Sequence, residues 1–242
     1  MIKFFRHIRK DLMEKNKTGT YVKYAIGEIV LVVIGILIAL SISNWNENQK
    51  DKETEFYVLE EILNNLKEDA LLIEGIIAKR EDANTSAKNM LGYLKQDTVD
   101  VDVLSRDFLN YLSFERYFPI NNAYEILKSK GLKLSNNKLT TRISRYYDYE
   151  QNKVNFSIKD VEDAILIILN DKNSIIRFVN TFNLNEYVEL TEPNSTTFKN
   201  ELYRELVSFK NNNGGTLERL RNFSNTNSAL VSDLEQELKK NE

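Results

Sequence analysis

From Ala25 to Ile42 the chain reads AIGEIVLVVIGILIALSI, eighteen residues broken only by Glu28 and Ser41. Nothing else in the sequence limits the possible structures so strongly. At the helical rise such a run covers roughly 27 Å, close to the hydrocarbon thickness of a bilayer. A signal peptide carries a shorter apolar core, about 7–15 residues. Ala39-Leu40-Ser41 imitates a cleavage site, but a retained anchor is the expected reading. Tyr21 and Tyr24 before the run and Trp45 after it suit the two membrane interfaces, where amphipathic rings settle. The expected layout is a basic segment at 1–23, a transmembrane helix at 24–43 and an exported domain at 44–242.

Positive charge resists translocation, and it is unevenly placed. Lys3, Arg6, Arg9, Lys10, Lys15, Lys17 and Lys23 precede the run, whereas only Lys50 and Lys52 follow closely, among Glu47, Asp51, Glu53 and Glu55. The N-terminus is therefore expected in the cytoplasm and the large domain in the periplasm of a bacterium, with the span in the inner membrane. Residues 2–13 place Ile2, Phe5, Ile8 and Leu12 on one helical face. That is the pattern of a basic helix lying on an anionic leaflet; the alternatives are that these charges only set topology or that the tail binds a cytoplasmic partner.

Within the run, Gly27, Gly35 and Ala39 fall on a four-residue stripe with Leu31. Small residues so spaced let two helices approach closely, so a homo-oligomer through the span is an expected partner beside the lipid bilayer itself. Glu28 adjoins the stripe. An intramembrane carboxylate is a functional suspect, and here it serves the interface, helix–helix recognition or, only if the span oligomerises, ion or proton translocation.

Composition removes much chemistry. The chain has no cysteine and a single histidine, His7, so disulfides, thiolate zinc sites, cysteine nucleophiles and multi-histidine metal sites are excluded. With 33 Lys and Arg against 36 Asp and Glu, and the basic excess at the N-terminus, the remainder is acidic and a poor match for nucleic acid. The adjacent pairs Glu60-Glu61 and Glu68-Asp69 point to different helix faces and read as solvated. Asp97, Asp100 and Asp102 lack the ligand order of a calcium loop. No cofactor, metal or enzymatic activity is expected.

The segments MIKFFRHIRKDLMEKNK, YAIGEIVLVVIGILIAL and NWNE, in that order across Met1 to Glu47, resemble a family of uncharacterised bacterial single-pass membrane proteins. AYEILKSKGLKL at 123–134, followed by Tyr146-Tyr147, is similar to a further segment of that family and departs from it after Gly131. The resemblance implies an anchored helical domain outside the cytoplasm and implies no activity.

The rest of the chain has few helix breakers, with two prolines and eight glycines. Leu59, Leu66, Ile73, Arg80, Ala87 and Leu94 recur every seven residues, which predicts a coiled-coil-like helix over 54–95, continuous with the span in one reading. Shorter helices are expected at about 102–116, capped by Asp102, and from Asn122 to Gly131. Leu139, Ile143, Tyr146, Val154, Ile158, Val161, Ile165 and Ile168 predict a helix over 136–171. Residues 174–190 read as either a short helix or a strand-like connector. Ser195 or Thr196 caps a helix to about 212, NNNGG at 211–215 signals a turn, and a last helix follows at 216–240. The expected fold is all-α: one transmembrane helix followed by an up-and-down helical bundle.

Aromatics crowd the middle third. Tyr124, Tyr146 and Tyr147, with Arg142 and Arg145 nearby in sequence, form a candidate interaction cluster or part of the core, the arginines either receiving an anion or pairing with Asp148 and Glu150. Without catalytic equipment, the expected role is to present the bundle to an unidentified membrane or periplasmic protein. The rivals are a ligand-sensing subunit signalling through span pairing and a hydrolase.

Overall fold

The computed structural model describes residues 18–131, 134–183 and 187–241; the amphipathic segment read at 2–13 lies outside them. The chain divides into two compact units, Met1–Glu55 and Phe56–Glu242.

The first unit holds the beginning of helix α1 (Thr18–Tyr93). It contains the one segment among the described residues that is long and apolar enough to cross a membrane. Its side chains have no protein cover: Ile29 is 63% exposed and Ile42 61%. The Ser41 hydroxyl donates to the Leu37 carbonyl at 2.8 Å, which satisfies the polar group inside the helix itself.

In the second unit α1 continues without a break through the helix predicted over 54–95 and ends at Tyr93, two residues early. It is followed by α2 (Val101–Tyr111), α3 (Asn122–Ser129) and α4 (Asn137–Arg145). A π-helical turn at Tyr146–Glu150 then joins α4 to α5 (Gln151–Asn170). A 3-10 turn (Ile175–Phe178), strands β1 (Val179–Asn183) and β2 (Tyr187–Leu190), and α6 (Thr196–Asn241) complete the chain. The all-α expectation holds, with one small antiparallel hairpin in which Val179 pairs with Leu190 and Asn183 with Tyr187. The segment at 174–190 thus divides between its two readings, a 3-10 helical turn at Ile175–Phe178 and then strands: Val188 and Leu190 are buried while Glu189 between them faces out, the alternation of a half-buried strand.

Helix α2 differs from expectation at both ends. α2 is capped by Asp100, whose carboxylate accepts the Asp102 and Val103 amides at 3.0 and 3.3 Å, rather than by Asp102. Helix α2 also stops at Tyr111, short of 116. Gly131 ends the α3 region as expected, with φ at 78°, a conformation open to glycine.

The larger correction is α6. NNNGG does not turn; the helix runs through it. Asn213 is fully buried and its Nδ2 donates to the Arg80 carbonyl at 3.0 Å, while the Thr216 hydroxyl donates to the Ser157 carbonyl at 3.3 Å. Buried positions continue across the segment at helical spacing, Phe209, Asn213, Thr216, Leu217 and Leu220. Tertiary packing thus overrides local turn propensity. The glycines make no close approach: a Cβ at Gly214 meets nothing within 4 Å, and one at Gly215 only Arg219 Nη1 at 3.9 Å. Gly214→Ala and Gly215→Ala are each expected to stabilise the protein by about 0.5–1 kcal/mol, read as a raised midpoint in urea unfolding.

α6 packs antiparallel along α1. Asn227 Nδ2 donates to the Leu66 carbonyl and Asn213 Nδ2 to the Arg80 carbonyl, both at 3.0 Å, so the same sequence interval separates the two contacts on each helix. Two apolar clusters result. One gathers Leu59, Ile62 and Leu66 with Tyr146, Phe223 and Leu234; the other gathers Ala87 and Met90 with Phe108, Ile165, Phe198 and Leu206.

Candidate functional site

The α1 face that meets these clusters is a strict 3.5-residue repeat. Leu59, Ile62, Leu66, Asp69, Ile73, Ile76, Arg80, Ala83, Ala87 and Met90 are all buried. Two charged residues therefore occupy an apolar seam: Asp69 is 0% exposed and Arg80 2%. The solvated reading of Glu68-Asp69 holds only for Glu68, which is exposed. Asp69 takes the inward position seven residues after Ile62 and seven before Ile76, and Ala70 is only half-buried.

A buried charge needs partners, and both find them in the irregular segment between α2 and α3. Arg80 Nε lies 2.8 Å from Glu115 Oε2, and Arg80 Nη2 donates to the Ser113 carbonyl at 2.5 Å. Asp69 accepts the Tyr117 hydroxyl at 2.8 Å and the Ile120 amide at 3.3 Å. Just beyond, Asn65 Nδ2 donates to Asn122 Oδ1 at 2.6 Å. The segment is thus strapped antiparallel along α1, with the Ser113 carbonyl and the Ile120 amide taken by side chains rather than by a ladder.

Asp69 is also reached from the π-helical turn and α5. Gln151 Nε2 donates at 3.0 Å and the Tyr146 hydroxyl at 3.5 Å, and Asn227 Nδ2 of α6 donates to the Tyr146 oxygen at 2.9 Å. Burial lifts the Asp69 carboxyl above its ordinary range, against the opposing pull of these donors. Burial likewise raises the hydroxyls of Tyr117, Tyr146 and Tyr147. They are protonated donors, not activated nucleophiles.

The structure brings together part of the candidate cluster. Tyr124 and Tyr147 stack with centroids 4.6 Å apart, Tyr146 meets Tyr147 edge-on at 5.0 Å, and Tyr146 stacks on Phe223 at 4.9 Å. All three tyrosines are buried in the core. The Tyr124 hydroxyl donates to Asp148 at 2.5 Å, and burial pushes it up to about 12. The arginines do not join them. Arg142 pairs with Asp233 on α6, and Arg145 Nε lies 3.2 Å from Glu150 Oε1; Asp148 instead takes Lys128 at 3.2 Å. Of the residues expected to pair spans, Gly27 and Gly35 have open space where a Cβ would stand, Ala39 is exposed and Glu28 half-buried.

Asp69, Tyr117 and Gln151 were not among the sequence candidates. The signal for Asp69 was present in the seven-residue repeat Ile62, Asp69, Ile76, Ala83, Met90. Nothing local announces Gln151 or Tyr117, since their role depends on which segments meet.

The arrangement is that of a helical domain organised on one long helix whose N-terminal part is apolar enough to enter a membrane. Its family model matches residues 28–188, and the chain belongs to that family of unknown function, DUF6090. The matched region includes the charged seam and the strap. No curated protein and no solved structure matches the chain.

Proposed function

We propose that this is a bacterial inner-membrane protein anchored by one span, with its N-terminus in the cytoplasm and its helical domain in the periplasm, acting as a binding or scaffolding module rather than as an enzyme. The supporting observation is the uncovered apolar segment of α1: none of that window is buried within the protein. Exposed aliphatic side chains in such number need a nonpolar surrounding. Lipid supplies it, and a second copy meeting the Gly27, Gly35 and Ala39 stripe beside Glu28 supplies part of it. The charge asymmetry around the run supports the orientation, and partners are an unidentified membrane or periplasmic protein.

The full chain is expected to stay in the membrane pellet through an alkaline carbonate wash, and a chain lacking residues 25–42 to leave it. Reporter fusions test direction separately. A periplasm-dependent reporter active after Glu242 and silent before Met1 supports the orientation; the reverse overturns it. A second reading, a ligand-sensing subunit, is favoured by a cavity in the helical domain.

A further inference from the structure

That cavity, of about 230 Å³, lies beside α5 and α6, and none of its walls belongs to the Asp69 network. It is smaller than the roughly 300–1,000 Å³ of pockets for drug-sized ligands, so its occupant is small. Ile165, Ile168 and Phe209 make the apolar wall, and Tyr111, Glu205 and Asn213 the polar one.

The polar side also includes Asp171, Ser174, Ser208 and Asn212, and it carries two carboxylates and no positive charge. Among the described residues Glu205 has no hydrogen bond or ion pair, while its neighbour Glu201 is held by Arg177. Burial, with Glu201 and Asp171 nearby, lifts the Glu205 carboxyl above its ordinary range. Tyr111 and Asn213 are both fully buried, yet the Tyr111 hydroxyl and Asn213 Oδ1 have no hydrogen-bond partner among the described residues. The Asn213 oxygen is identified by its own amide, whose Nδ2 is committed to Arg80. Buried polar atoms are rarely left unpaired. All three groups accept hydrogen bonds, and an ammonium carries three donors. The Tyr111 ring, edge-on to Phe209 with centroids 4.8 Å apart, continues the apolar wall beside them.

We propose that this cavity binds a small organic cation, a primary amine on a compact apolar body, with its ammonium at Glu205 and its apolar part against Ile165, Ile168 and Phe209. The assignment goes beyond the anchored-module reading and holds whichever way the chain faces.

The test titrates 2-phenylethylamine into the full chain in nanodiscs, with 2-phenylethanol as the uncharged analogue and Glu218→Gln, an exposed α6 position, as the charge control. The amine is expected to bind saturably. The alcohol is expected to bind about tenfold more weakly or worse, as loss of a charge-assisted contact implies. Glu205→Gln is expected to cost the amine a similar factor while keeping the wild-type melting temperature or raising it, and Glu218→Gln to leave affinity unchanged. Absence of saturable amine binding, equal affinity for amine and alcohol, or wild-type affinity in Glu205→Gln each overturns the proposal. Because membrane retention is measured independently, failure here leaves the anchoring test standing, and the converse holds too.

Discussion

Asp69→Ala is expected to destabilise the full chain in detergent by about 3–5 kcal/mol. The substitution strands the Tyr117 hydroxyl, the Gln151 amide and the Ile120 N–H in a closed core and opens a void in the seam. Urea unfolding followed by circular dichroism measures it; a loss under about 1 kcal/mol would show that the network carries no stability. Asp69→Asn keeps one oxygen and the volume, so it is expected to cost less, about 1–2 kcal/mol. It should also change the response to pH. The folded carboxyl is raised above the ordinary 3.8, so the folded state holds this proton longer than the unfolded one. The contribution of this group to stability therefore falls as pH rises from about 3.8 through the raised value, and above that value the burial penalty is complete. Asparagine removes that part of the pH dependence.

Arg80→Met is the second large effect. Its guanidinium neutralises Glu115 and caps the Ser113 carbonyl, and Arg80 is 2% exposed while Glu115 is 10%. Removing one partner of so buried a pair leaves a charge without compensation, at a cost of about 3–5 kcal/mol. Coupling Arg80→Met to Glu115→Gln is expected to recover most of that loss, because the stranded charge disappears with its partner. A double variant as unstable as the sum of the two single variants would show that the two residues are not coupled.

Both charged seam residues illustrate what periodicity can and cannot convey. The repeat from Leu59 to Met90 was legible, and it carried the long helix. The adjacent pair Glu68-Asp69 reads as solvated from its charge alone, although the seven-residue count from Ile62 to Ile76 places Asp69 inward. The reverse error occurred at 211–215, where five turn-forming residues outweighed an uninterrupted buried pattern. The deciding contact there, Asn213 with Arg80, joins residues far apart in sequence, so no local rule reports it. The hairpin was ambiguous for a similar reason: Val188 and Leu190 are defined as strand positions by the core they enter. The tyrosine cluster was found as composition, but its separation from Arg142 and Arg145 was settled by Asp233 and Glu150.

The π-helical turn at Tyr146–Glu150 amounts to one surplus residue in a helix, and it acts as a phase shifter. A regular α-helix advances about 100° per residue, and a π-turn absorbs an insertion by widening locally. Upstream, Leu139 and Ile143 are in step with the core; downstream, Val154, Ile158, Val161 and Ile165 are in step again. Deleting a single residue from this turn would close it into ordinary helix and rotate one side relative to the other. Four aliphatic residues of α5 would swing toward water, or Leu139 and Ile143 would. Length at this point is therefore information in its own right, carried by the number of residues and not by their kind.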